Sequence, residues 1–210
     1  MSEAAPPEII ERRDTAGALV ELVSFRNGVL DGPMVLYDAD GAVFARLTYR
    51  AGALDGPATL YAGDKILTEM TYVAGVAEGP MRSFAASGAL AASGTLRRGR
   101  LHGELTLYRP DGSVMQRRHY AGGLLDGEQV DLDPAGVVRR RADYRAGRLD
   151  GKVTDYDATG QATSHQVFIA DKEIGAAPPQ PGAPAMGAPP MGAPPAQKPS
   201  LSRKPWHLRW

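Results

Sequence analysis

A glycine recurs at almost fixed intervals along this chain: Gly28, Gly52, Gly75, Gly99, Gly123 and Gly147 are spaced 24, 23, 24, 24 and 24 residues apart. A period this short leaves room for one supersecondary unit per copy, and such a unit buries its apolar face only against its neighbours. Other positions keep step. A second glycine follows four residues after each first one, at Gly32, Gly56, Gly79, Gly103, Gly127 and Gly151. Before it stands Asp31, Asp55, Glu78, His102, Asp126 or Asp150, and before that Leu30, Leu54, Ala77, Leu101, Leu125 or Leu149. Three residues ahead of the first glycine comes Phe25, Tyr49, Tyr72, Leu96, Tyr120 or Tyr144. Five after the second comes Tyr37, Tyr61, Phe84, Tyr108, Leu132 or Tyr156.

Each unit carries a further turn signal: "DADG", "AGD", "AASG", "RPDG", "DPAG" and "DATG". Asp binds its own local backbone there and Gly accepts positive φ. The short "AGD" version accounts for the single 23-residue step. Between turns lie strand-length segments such as "PMVLY" and "VFARLTY", rich in β-branched and aromatic residues. Two strands fill a unit and no helix fits, and a lone hairpin is not stable, so successive hairpins pair edge to edge. The expected fold is all-β: an elongated, twisted antiparallel array of about thirteen strands, roughly 60 Å long at ~4.8 Å per strand. On this reading Asp55 and its equivalents stand in turns between strands, with Leu54 plugged beneath and Tyr49 and Tyr61 stacked on their copies. "DTAG" at 14–17 opens a leading half-unit, and "FIADKEIG" at 168–175 begins a seventh with Asp171 in place of glycine.

The 210 residues hold 24 cations and 24 acids with no cysteine, which removes disulfides, thiolate chemistry and Cys-based zinc sites. The beginning has acids and prolines where a signal peptide has a basic end and an apolar run, and no stretch reaches the ~18 apolar residues of a membrane span. A cytoplasmic location is expected. Ten of the prolines fall within residues 178–205, and residues 176–210 carry four cations and no acid. The chain therefore divides into an N-terminal arm (1–13), the repeat domain (14–175), a Pro/Ala/Gly/Met-rich linker (176–198) and a basic, Trp-containing motif (199–210). The linker has no means of burying a core and is expected to be disordered.

The phrase Y-x-x-G-x-L-D-G-x-x-x-x-Y-x-x-x-G resembles the MORN-type repeat, and more closely the longer bacterial variant found in antitoxin-type proteins. The resemblance covers residues 14–175 and implies a β-hairpin sheet used for partner binding, scaffolding or lipid contact. An antitoxin or immunity role, neutralising a toxin or effector by binding it, is implied in the same way. The sequence departs from the pattern at Ala77, Leu96, Leu132 and Asp171, so distortion is expected in the third and fifth units.

No catalytic constellation stands out. His102, His119, His165 and His207 lie in different units or in the tail, without ligand-spaced partners, and the glycines precede strands where a phosphate loop precedes a helix. No catalysis, cofactor or metal is expected. Binding is better supported. Residues 97–148 carry eleven arginines against seven acids, between acidic stretches on either side. Alternation puts Arg117 and His119 on one face with Arg139 and Arg141, and Arg118 and Arg140 on the other. These six form the candidate basic patch, for an acidic protein segment or lipid phosphates. Nucleic acid is disfavoured by the balanced charge. The second candidate is the tail motif: Trp206 and Trp210 as anchors with Arg203, Lys204 and Arg209 as charge clamps, docking on a protein or an anionic membrane. The expected function is a non-catalytic interaction or scaffold protein, with a membrane-surface adaptor as the alternative. Exposed sheet edges also make self-association plausible.

Overall fold

Each first glycine closes a two-residue hairpin turn. Asn27–Gly28, Ala51–Gly52, Ala74–Gly75, Arg98–Gly99, Gly122–Gly123 and Ala146–Gly147 all have positive φ at both residues, as does Ala170–Asp171 at the seventh tip. Two left-handed residues in a row match the right-handed twist of the flanking strands. The computed structural model describes residues 6–177.

Eighteen strand segments form one antiparallel sheet. They are β1 (Glu8–Arg13), β2 (Leu19–Arg26), β3 (Val29–Tyr37), β4 (Val43–Arg50), β5 (Ala53–Leu54) and β6 (Gly56–Ala62). There follow β7 (Lys65–Val73), β8 (Val76–Ala77), β9 (Gly79–Phe84), β10 (Leu90–Arg97), β11 (Arg100–Leu101) and β12 (Gly103–Tyr108). The last are β13 (Val114–Ala121), β14 (Leu124–Leu132), β15 (Val138–Arg145), β16 (Arg148–Tyr156), β17 (Ala162–Ile169) and β18 (Lys172–Ala177). The pairs β5/β6, β8/β9 and β11/β12 each lie along one side of a single neighbour, so each pair is one interrupted rung. Fifteen rungs result, about 70 Å of stack at ~4.8 Å per rung. The pairing is a plain meander from β1 to β18, open at both ends. The count exceeds the thirteen expected partly because residues 8–13, assigned to the arm from sequence, pair with β2 as an edge strand.

The Asp–Gly pair is not a turn. In β3, Asp31, Gly32 and Pro33 stand opposite the single residue Ser24, between the pairs Phe25–Leu30 and Val23–Met34. The same three-against-one bulge faces His119 in β14 and Asp143 in β16. The reason is geometric: the hairpin has already reversed four residues earlier, so the chain here bends without turning back. Glycine is needed because the opposing side chain lies over it. A Cβ on Gly151, at φ +138°, would meet the Asp143 Cβ at 2.6 Å.

The bulge also clasps one unit to the next. Leu30 O accepts from Gly52 N at 2.8 Å, and the same bond recurs from Gly75 to Leu54, Gly99 to Ala77, Gly123 to Leu101 and Gly147 to Leu125. Beside it, carboxylates of Asp31, Asp55, Glu78 and Asp126 accept from the backbone N–H of Ala51, Ala74, Arg98 and Ala146. The repeated acid thus secures the left-handed residue of the following tip. The units bearing Ala77, Leu96 and Leu132, expected to be distorted, keep the common pairing: Tyr72 faces Ala77, Leu96 faces Leu101 and Leu132 faces Val138. At the seventh tip Asp171 takes the glycine's place at φ 72° and accepts from Leu149 N at 2.8 Å.

Alanine at φ near 49° bears the left-handed penalty of an L-residue, which Asn tolerates better. Asn27 shows the alternative in the first tip. We expect Ala51→Asn to stabilise the chain by roughly 0.5–1 kcal/mol, read as a raised melting temperature.

The opposite edge of the sheet is made by the "DxxG" loops. Asp38, Asp133 and Asp157 each accept two backbone N–H bonds from the residues two and four positions on. Bonds from the Thr159 hydroxyl and the Gln161 N–H hold the Asp157 carboxyl below the usual aspartate range, and the Ser113 hydroxyl and N–H do the same for Asp111. A lowered carboxyl contributes its stability above the ordinary value and loses it as pH falls through the folded one. The amide of Gln161 should therefore lose exchange protection only below about pH 4. Loss of protection already near neutral pH would contradict this.

Candidate interaction surface

Register decides which side chains share a face, because directly paired residues project to the same side. On one face, here face A, a central row runs across the rungs. It begins Val23, Met34, Leu47, Ala58, Met70, Met81, Gly94 and Leu105. Beside it, nearer the loop edge, run Leu36, Ala45, Leu60, Thr68, Ser83, Ala92 and Leu107. On the hairpin side, Phe25, Tyr49 and Tyr72 face Leu30, Leu54 and Ala77. The opening aromatic and the plugging leucine of the repeat are therefore a cross-strand pair, the unit of sheet stabilisation.

From β2 to β12 the central row of this face is apolar over eight rungs, about 34 Å, and the loop-side row is apolar but for Thr68 and Ser83. Val23, Ala45 and Ala58 are closed off by their neighbours, while Leu36, Leu47, Met70 and Met81 are half-buried and Leu60 is 42% exposed. Among the described residues no second layer covers it. Beyond β12 the loop-side row turns polar, while the central row passes through Arg118 and Gln129 to the buried Ala142 and Val153. Arg118 follows Leu105, and Gln116, Asp131, Arg140, Asp155 and Ser164 follow Leu107. These residues bond one another across the strands: Gln116 to Asp131, Arg140 to Asp155 at 3.0 Å, and Ser164 to Asp155 at 2.8 Å. Face A is thus half apolar row and half hydrogen-bonded mesh. Sequence reading missed the row because its members are 11 to 13 residues apart and join only through the register.

The candidate basic patch is divided as alternation suggests. Arg117 and Arg141 flank Val130 on face B, the opposite face, while Arg118 pairs with Gln129 and Arg140 with Asp131 and Asp155 on face A. Much of its charge is matched. Arg141 holds both Glu128 oxygens at 2.8 and 2.9 Å, Arg140 holds Asp155, and Arg139 lies 3.7 Å from Asp133. His119 stands across from Glu104. Among the described residues Arg117 has no acidic partner. Arg109, one of the eleven arginines, is spent on structure: it takes the loop position of Asp133 and donates to the carbonyls of Val114, Leu132 and Asp133, tying two loops together. The tail candidates Arg203, Lys204, Trp206, Arg209 and Trp210 lie outside the described residues.

Cations without acidic partners among the described residues gather elsewhere, at the hairpin edge. One tip presents exposed Arg97, Arg98 and Arg100, with exposed His102 where other units have an acid. The preceding tip presents Val73 and Val76 at 53% and 45% exposure, and the following one Leu124 at 53%. Successive tips are two rungs apart, about 10 Å.

On face B a shallow cleft of about 230 Å³ lies among Pro57, Thr59, Thr71 and Pro80, with Glu69 and Arg82 3.6 Å apart at its side. Among the described residues no three His, Asp or Glu side chains converge as a metal site, and no helix is long and apolar enough to cross a membrane. Set against known proteins, the chain matches no family model and no curated protein.

Proposed function

We propose that this chain is a non-catalytic binding protein of the MORN-repeat kind, which holds a protein partner on the apolar half of face A. The observation that carries this is the row Leu47, Met70, Met81 with Leu36 and Leu60, left half-open on a sheet with no second layer among the described residues. An apolar strip of this length on a folded protein marks an interaction site, and methionine side chains adapt to the shape of what they meet. Toxins, effectors and assembly components are the partner classes that fit, and an antitoxin or immunity role is the specific form of this reading. A photo-reactive residue at position 60 on face A should cross-link a partner in cells. The same residue at position 115 on face B, equally exposed at 42%, should not. The reverse pattern would move the site to face B and defeat the proposal.

A second reading, a peripheral adaptor for anionic membranes, rests on a separate observation. The three consecutive tips Val73/Val76, Arg97/Arg98/Arg100 and Leu124 alternate apolar prongs with cations along one edge, the combination that seats a protein at a lipid surface. Flotation with phosphatidylserine vesicles at low salt, comparing the wild type with Arg97→Glu/Arg98→Glu/Arg100→Glu, tests it. Equal flotation of both, or of neither, removes the edge as a membrane site.

A further inference from the structure

We propose that residues 199–210 of this same chain dock on the apolar half of face A. The tail's tryptophans would sit over Leu36, Leu60 and Met70, and its cations would face the loop-edge acids Asp40 and Asp64. The inference rests on the reading of face A as the binding surface and names the chain's own occupant for it.

Three observations carry it. The first is chemical fit. Face A offers half-open Leu36, Leu47, Leu60, Met70 and Met81 across the rungs from β3 to β9, about 19 Å, and both tryptophans of the protein, Trp206 and Trp210, lie in the tail. Large aromatic anchors entering an apolar strip are the usual centre of a docking contact. The second is charge. Residues 1–96 carry twelve acids against seven cations, while residues 176–210 carry four cations and no acid. Asp40 and Asp64 stand exposed in the loops beside Leu36 and Leu60, and neither has a basic partner among the described residues. At the hairpin edge Asp31, Asp55 and Glu78 are already bonded to the backbone of the next tip, and Arg97, Arg98 and Arg100 stand exposed at one end, so the exposed loop-side acids are the ones left to a basic tail.

The third is reach. The described chain ends on β18, and β7, which carries Met70, lies nine rungs back, about 43 Å along the stack. Twenty-one residues separate Ala177 from Pro199. A proline-rich segment extends ~3.1 Å per residue, so these span up to about 65 Å. That brings the tail to the apolar half and past its centre. A linker a third as long, about 22 Å, would leave the tail over the loop-side polar mesh of β13–β17, where it meets Arg118 and Arg140 in place of leucine. Tethering also keeps the tail at high local concentration over the row, so modest contacts suffice.

The two tryptophans report on this directly, because no other tryptophan contributes. In the full chain their fluorescence should be blue-shifted relative to the denatured chain and shielded from acrylamide. Leu60→Glu should abolish the shift and the shielding while circular dichroism stays that of the folded sheet. Asp40→Lys/Asp64→Lys should weaken both, and Met115→Glu, on the opposite face, should leave them unchanged. Solvent-like emission in the wild type would overturn the proposal, as would a blue shift that survives Leu60→Glu. A shift that vanishes on dilution would assign the tail to a second copy's face and overturn docking within one chain. The two ideas fail separately: exposed tryptophans with partner cross-linking still at position 60 would sink this inference alone. Cross-linking only at position 115 sinks the reading of face A itself.

Discussion

Gly151→Ala should destabilise the chain by about 2–4 kcal/mol, and Gly79→Ala, at the same place in the repeat, by clearly less. Both glycines have positive φ, +138° and +90°, so both substitutions strain the backbone. They differ in what lies above. A Cβ at position 151 meets the Asp143 Cβ at 2.6 Å and its carboxylate at 2.9 Å, whereas one at position 79 finds no atom within 4 Å. Asp143 cannot simply swing away, because its carboxylate accepts from Lys152 N at 3.1 Å within the same bulge. The bulge must open or the strand must shift. Neighbouring units supply the only support in a stack, so the loss should spread to the clasp between Leu149 and Asp171. Urea melts of the two variants decide the matter, and equal losses would mean that backbone strain alone sets the need for glycine.

Leu60→Glu should leave that stability nearly unchanged, yet weaken partner binding by about 2 kcal/mol, roughly thirtyfold. The side chain is 42% exposed, so a carboxylate there stays hydrated in the free protein and costs little. Once a partner covers the row, the same carboxylate lies between Ala45 and Thr68 with no cation in its row from Leu36 to Leu107, and its desolvation is uncompensated. The effect would then appear in the dissociation rate, as for most interface substitutions. Met115→Glu, equally exposed on the other face, is the control. Titration of the cross-linked partner against the three proteins measures it, and loss of affinity in Met115→Glu with none in Leu60→Glu would contradict the proposed site.

The repeat made much of this architecture readable without coordinates. The period, the two strands per unit and the two kinds of turn follow from glycine spacing, since positive φ at Gly28 or Gly52 is what a two-residue hairpin requires. The role of Asp55 was not legible. Asp–Gly is ordinary turn chemistry, and only the pairing of Tyr49 with Leu54 and Arg46 with Thr59 reveals a bulge. Its carboxylate then acts on Ala74, 19 residues away. Charge misled for the same reason. Arg139, Arg140 and Arg141 cluster in sequence, but Glu128 and Asp155 reach them from the strands on either side and Asp133 from the loop before β15. The change of face A from apolar to polar between Leu105 and Arg118 is likewise written in the register. Alternation tells which residues of one strand share a face, and it says nothing about how far the next strand is offset. Residues 8–13 reached the sheet as an edge strand because "EIIERR" needs only one partner to pair with, outside the repeat pattern.

Methionine methyl resonances offer the most direct test of binding through face A. Met34, Met70 and Met81 lie along its apolar half, and Met115 lies on face B. With methyl-labelled methionine in the full chain, addition of the cross-linked partner should shift or broaden the first three and leave Met115 in place. Movement of Met115 with Met34, Met70 and Met81 unmoved would contradict the account.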